Sequence, residues 1–171
     1  MSDRFYVERV KYLKDGTYKK AEQMDYETQQ AAEKKFYKNV STDMEDDTLC
    51  GSMNVILNSL GGQVEKKFWK DPETEIEERY FVARVKELKD GTFKKSEVMD
   101  YDDKQSAVAK LYTNIGTDMD DDTLQGSMCT VLDKEGNEVK RDTWNYDTYH
   151  PPIPPEPPVP PEPDDGDDTQ E

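Results

Sequence analysis

Seventy-five residues after it first appears, a stretch of 66 residues is written again, and this duplication limits the folds open to the chain more than any other feature. Residues 4–69 align with 79–144 without a gap and share 35 identities. The anchors include Arg4/Arg79, Val7/Val82, Asp15-Gly16-Thr17/Asp90-Gly91-Thr92, Met24-Asp25-Tyr26/Met99-Asp100-Tyr101, Gly51-Ser52-Met53/Gly126-Ser127-Met128 and Trp69/Trp144. Two copies joined by an acidic connector with Pro72 read as two modules, not as a solenoid. The predicted organisation is a first module at 1–70, a linker at 71–78, a second module at 79–145, and a proline-rich stalk with an acidic tail at 146–171.

Each copy can be read through its twin. Phe5–Leu13 and Tyr80–Leu88 are rich in aromatic and β-branched residues, as strands are. Asp15-Gly16 and Asp90-Gly91 supply a hairpin turn. Tyr18, Lys20, Glu22, Met24 and Tyr26 then alternate along one face of a second strand, matched by Phe93, Lys95, Glu97, Met99 and Tyr101. The period changes next: Ala32, Phe36, Tyr37, Val40 and Met44, with Ala107, Leu111, Tyr112, Ile115 and Met119, predict the buried stripe of a helix. Asp25 and Asp100 stand near its expected N-cap. Alternation returns at Met53, Val55, Leu57 and Met128, Thr130, Leu132. Gly61-Gly62 and Gly136-Asn137 turn the chain into a last strand carrying the Trp.

The fold class is therefore α+β: a ββαββ module in tandem, each with a four-stranded, mostly antiparallel sheet and one helix. The first strand is apolar on both faces, with Phe5, Val7 and Leu13 against Tyr6, Val10 and Tyr12. A one-sided sheet would alternate more cleanly, and a 60-residue domain buries only about 60% of its unfolded surface. The helix-free face is accordingly expected to pack on the sister module or on another copy of the chain.

The net charge of −16 suggests nucleic-acid mimicry, but its distribution argues against it. Residues 1–70 are neutral, 71–78 carry −5, 79–145 carry −3 and 146–171 carry −8. Most of the charge thus lies in the linker and tail, as solvated like-charge runs do. Lys19-Lys20 and Lys94-Lys95 beside Tyr18 and Phe93 resemble a single-strand platform, yet modules without a basic field offer phosphates little attraction. Nucleic acid is not an expected partner. The apolar runs are too short to span a bilayer. The chain opens on a strand-like run with no secretory h-region, so the expected location is the cytoplasm.

The acidic loops Thr42–Thr48 and Thr117–Thr123 invite a calcium reading. Both lack the Gly at position six and the Glu at position twelve of an EF-hand, and turn-type Asp and Thr bonds to nearby backbone account for them. His150, the sole histidine, lies outside both repeats, leaving no seat for a Ser-His or Cys-His pair. Cys50 and Cys129 align with Gln125 and Asn54, so neither is a duplicated thiol or metal site. No glycine-rich loop offers a phosphate cradle. No catalytic residue, cofactor or metal is assigned. An enzyme built on Asp46 and Asp121 is the remote alternative.

Residues 151–163 form a Pro-Pro-X tract. At three residues per polyproline II turn, Ile153, Glu156, Val159 and Glu162 share one edge of a rod about 40 Å long. A semi-rigid spacer is the reading that composition supports; a ligand for a proline-binding domain is its rival.

The opening Arg-aromatic-aromatic-Val-x-Arg-Val (4–10 and 79–85), with Asp-Gly-Thr, the Asp-Tyr and Tyr-Asp pairs ahead of the helix and the closing Trp, resembles short single-module proteins of anaerobic Firmicutes and their phages. The likeness covers 4–69 and 79–144. It implies a phage or mobile-element origin, a place in the host-cell cytoplasm with virion association as the alternative, and no particular activity. The expected function is a non-catalytic protein-binding or structural accessory protein, with paired modules as contact surface and a stiff spacer. The alternative is an inhibitor of a host enzyme or defence system, acting by occlusion or by sequestering a ligand.

Overall fold

The computed structural model describes residues 4–20, 23–95 and 98–149. The first module runs β1 (Phe5–Leu13), β2 (Tyr18–Lys20), β3 (Met24–Tyr26), α1 (Gln29–Met44), β4 (Leu49–Asn58) and β5 (Gln63–Lys70). The second repeats the order as β6 (Tyr80–Leu88), β7 (Phe93–Lys95), β8 (Met99–Tyr101), α2 (Lys104–Met119), β9 (Leu124–Asp133) and β10 (Glu138–Asn145), followed by the short α3 (Tyr146–Tyr149). Each module is an antiparallel sheet with a helix on one face, an α+β arrangement made twice.

Within the first sheet β1 and β4 are the central pair, β5 flanks β4, and β2 and β3 follow one another along the free edge of β1. These two pieces are the single second strand expected from the pattern, broken by one inserted residue. Val10 faces Lys20 and Phe5 faces Tyr26, so five steps along β1 meet six along the edge. The second module repeats this with Val85 opposite Lys95 and Tyr80 opposite Tyr101. An inserted residue turns every later side chain to the opposite face. The one-faced assignment is corrected accordingly. Tyr18 packs against the sister module, whereas Tyr26 packs under α1; Phe93 and Tyr101 divide in the same way. Glu22 and Glu97 lie outside the described residues.

Hairpin turns sit where Gly16, Gly61, Gly91 and Gly136 stand, each with φ between +73° and +84°. Among the described residues only glycines take positive φ, so Asp15 and Asp90 serve another purpose: their carboxylates accept from the backbone and hydroxyl of Thr17 and Thr92. The helices are capped by Thr28 and Asp103, which accept from Ala31 N and Ser106 N. This displaces Asp25 and Asp100 from the capping role expected of them.

The buried stripe of α1 is Ala32, Phe36, Asn39, Val40 and Asp43; that of α2 is Ala107, Leu111, Asn114, Ile115 and Asp118. Tyr37, Met44, Tyr112 and Met119, expected in the core, point to solvent. The reason lies on β1, whose helix-facing side chains include Arg9 and Lys11. Asp43 answers them, accepting from Arg9 Nε at 3.1 Å and standing 3.6 Å from Lys11 Nζ, with Asn54 Nδ2 at 3.1 Å. Arg84, Lys86 and Asp118 repeat the arrangement. With both aspartate side chains wholly buried, this pairing orients the helix and leaves Tyr37 and Tyr112 outside.

The helix-free faces pack on each other. Tyr6, Val10, Met53, Val55 and Leu57 form one cluster with Phe81, Ala83, Val85, Met128 and Leu132, so the chain is a sandwich with a helix on each outer face. Each helix encloses its own smaller cluster on the other side of its sheet. In the second module α3, counted with the tail in the sequence reading, lays Tyr146 edge-on to the buried Trp144 at 6.3 Å.

Candidate functional site

Two surface features stand out from this scaffold. The first is a ridge on the outer face of each helix. Positions i, i+4, i+7, i+11 and i+14 are exposed and in line: Gln30, Lys34, Tyr37, Ser41 and Met44 on α1, and Gln105, Ala109, Tyr112, Gly116 and Met119 on α2. Tyr37 is 60% exposed and Met44 63%; Tyr112 and Met119 are 49% and 39%. Phe36, held in the core below, braces Tyr37 edge-on at 5.1 Å. The α2 ridge carries no charge, and the α1 ridge one lysine. Met24 and Met99 add a further exposed thioether on the sheet edge of each module.

The second feature is a cleft of about 320 Å³ between the connector and the first hairpin. Tyr12, Tyr18 and Cys50 line it from the sheet, Lys14 and Thr17 from the hairpin, and Glu75, Ile76 and Glu77 from the connector. Its hydroxyls are already engaged. Tyr12 donates to Lys134 O at 2.7 Å, and Tyr18 donates to Asp100. Arg79 closes one end, lying 4.6 Å over the Tyr18 ring and 3.0 Å from Asp100. Burial pushes the Asp100 carboxyl up, but donors from Lys20 at 2.8 Å and from Tyr18 outweigh it and hold the group below the ordinary aspartate range.

The acidic loops are built as turns. Asp46 Oδ1 accepts from Thr48 Oγ1 at 2.6 Å and Thr48 N at 3.1 Å, and Asp121 does the same for Thr123. The Thr48 hydroxyl and amide, with Lys11, hold Asp46 down to about 2, a poor proton acceptor at neutral pH. Among the described residues no cluster of His, Cys, Asp and Glu is arranged to hold a metal. Cys50 and Cys129 are free, buried strand residues. Cys50 donates to Tyr12 O and Leu13 O, and burial pushes the Cys129 thiol up to about 11. Lys20 is committed to Asp100, away from any open platform. His150 and the edge Ile153, Glu156, Val159 and Glu162 lie outside the described residues. Among the described residues no helix is long and apolar enough to cross a membrane.

Sequence reasoning missed both the ridges and the cleft. The ridges carried a signal: Asn39/Asn114 and Asp43/Asp118 fall on the buried stripe and recur identically, as do Arg9/Arg84 and Lys11/Lys86. Pairing those charges would have rotated the helix. The cleft carried none, because it arises where the connector crosses the hairpin. Comparison with protein families, with curated proteins and with solved structures finds no match to this chain.

Proposed function

We propose that this chain is a non-catalytic protein-binding or structural accessory protein, of phage or mobile-element origin, whose contact surfaces are the two helical ridges. One observation carries the reading: Tyr and Met seven residues apart stand exposed at the same places in both modules, although barely half of the repeat is identical. Exposed aromatic and thioether side chains on ridges that carry one lysine between them are what protein contacts favour. Residues 151–163, outside the described residues, serve in this reading as a spacer between the contact unit and the acidic end, on the strength of their Pro-Pro-X composition alone.

The test compares affinity capture by the intact protein, by a variant with Tyr37, Met44, Tyr112 and Met119 replaced by Ser, and by a chain lacking 151–171. These four side chains are exposed, so the ridge variant should keep the melting temperature within a few degrees while losing a partner that the intact chain retains. The truncated chain should bind in solution as the intact one does. Retention by the ridge variant defeats the proposal, and loss on truncation makes the tract a ligand.

A second reading, inhibition by sequestering a small ligand, draws on the cleft. Side chains fill the space between the sheets, so a sequestered molecule would lie under the connector against Tyr12, Tyr18 and Ile76. Mass analysis of small molecules released on denaturation separates this reading from the first.

A further inference from the structure

The contacts between the modules are reciprocal. Gly61 of the first sheet sits against Met128 and Thr130 of the second, and Gly136 sits against Met53 and Val55 of the first. Arg4 lies 4.5 Å over the Phe93 ring, and Arg79 lies 4.6 Å over the Tyr18 ring. In each pair both residues shift by the repeat offset of 75 and change modules. Gln63 and Glu138 are themselves repeat equivalents, and they touch: Gln63 N donates to Glu138 Oε2 and Glu138 N to Gln63 Oε1, both at 3.3 Å. With the exchanges above, their meeting places the two-fold axis that relates the modules between them. Contact of i with j together with j with i is the property that defines an isologous dimer interface.

We infer that the helix-free face of the module is a self-complementary docking surface whose partner is a second copy of the same module, so that the chain is a homodimer joined end to end. The surface that Met53, Val55 and Leu57 offer is the one that Met128, Thr130 and Leu132 offer in return. The connector is dispensable for recognition, and either half can take up the corresponding half of another molecule. Charge at the axis ranks the pairings. The native pair sets Gln63 against Glu138, a pair of first modules sets Gln63 against Gln63, and a pair of second modules sets two carboxylates face to face.

The experiment starts from the full chain with a protease site replacing Glu73, Thr74 and Glu75. After cleavage the two halves should remain a 1:1 complex by native mass measurement. Separated in urea and refolded alone, each half should form a homodimer, and Glu138→Gln should tighten that of the second half by up to about fivefold. Folded monomers at about 100 μM, or halves that fold only when mixed, overturn the proposal. In the intact chain Gln63→Glu should lower the melting temperature, and adding Glu138→Gln should restore it. A double variant as unstable as the single one places the axis elsewhere and overturns it too.

Discussion

Asp100 shows how one side chain ties the two modules together. It receives Lys20 and Tyr18 from the first module and Arg79 from its own. Its twin Asp25 is paired with Arg4 at 2.6 Å, but the ring beside that pair is Phe93, which has no hydroxyl to offer. Because the folded carboxyl is held below its unfolded value, the stabilisation is complete above the ordinary aspartate pKa of about 4 and fades as pH falls through the depressed folded value. Lys20→Met should therefore lower the melting temperature at pH 7, by an amount that shrinks as pH falls below about 4. Melting curves of both proteins across that range test the assignment, and a gap that persists undiminished in acid refutes it. Asp43 and Asp118 act at the same scale but inside each module. Each is a buried charge made tolerable by an arginine and a lysine, with Asn54 as a further donor to Asp43. Such pairings contribute more to orientation than to net stability.

The strands and helices differ in how openly the sequence declared them. Hairpin turns were readable because glycine alone enters the left-handed region without cost, and Gly16, Gly61, Gly91 and Gly136 all do so. The alternation of β4 and β9 was readable because Met53, Val55, Leu57, Met128 and Leu132 belong to one cluster, and Thr130 between the last two donates across to Gly61 O. The break between β2 and β3 was not, since an inserted residue leaves the apolar count of a strand unchanged and alters only which face it serves. Buried Gln23, at that break, donates to Glu8. Deleting Gln23 would make the edge strand continuous while leaving Met24 opposite Val7 and Tyr26 opposite Phe5, so Tyr26 would stay in the α1 core and the loss would be that of the buried Gln23–Glu8 contact. The expected result is a fall of about 2–4 °C in melting temperature, as for one lost buried hydrogen bond; a fall of more than about 10 °C would mean that Met24–Tyr26 had left the α1 face. The helix boundaries were nearly legible, but the caps were displaced because Asp25 and Asp100 had charge partners elsewhere and Thr28 and Asp103 stood closer to the first turn.

For the whole molecule, the cluster between the sheets draws on both modules, so neither sheet can lose its partner without exposing its own apolar face. The two should unfold together. Leu57→Ala, in the first module, removes a fully buried side chain from the shared cluster and is expected to cost about 2–5 kcal/mol. Hydrogen exchange should show the slowest amides of β6 and β9 losing protection along with those of β1 and β4. Loss confined to the first module would mean independent halves. The expectation that the helix-free face is covered rested on apolar residues alternating into both sides of β1, whereas the reciprocity of the contacts could be seen only once Gln63 and Glu138 were found side by side. Covalent joining has a further effect. A symmetric pair of separate chains must accept every substitution on both sides at once, but a joined pair can alter one wall and leave the other alone. Lys34 against Ala109 and Ser41 against Gly116 are such one-sided changes, and they leave the molecule with two dissimilar outer walls on a common frame.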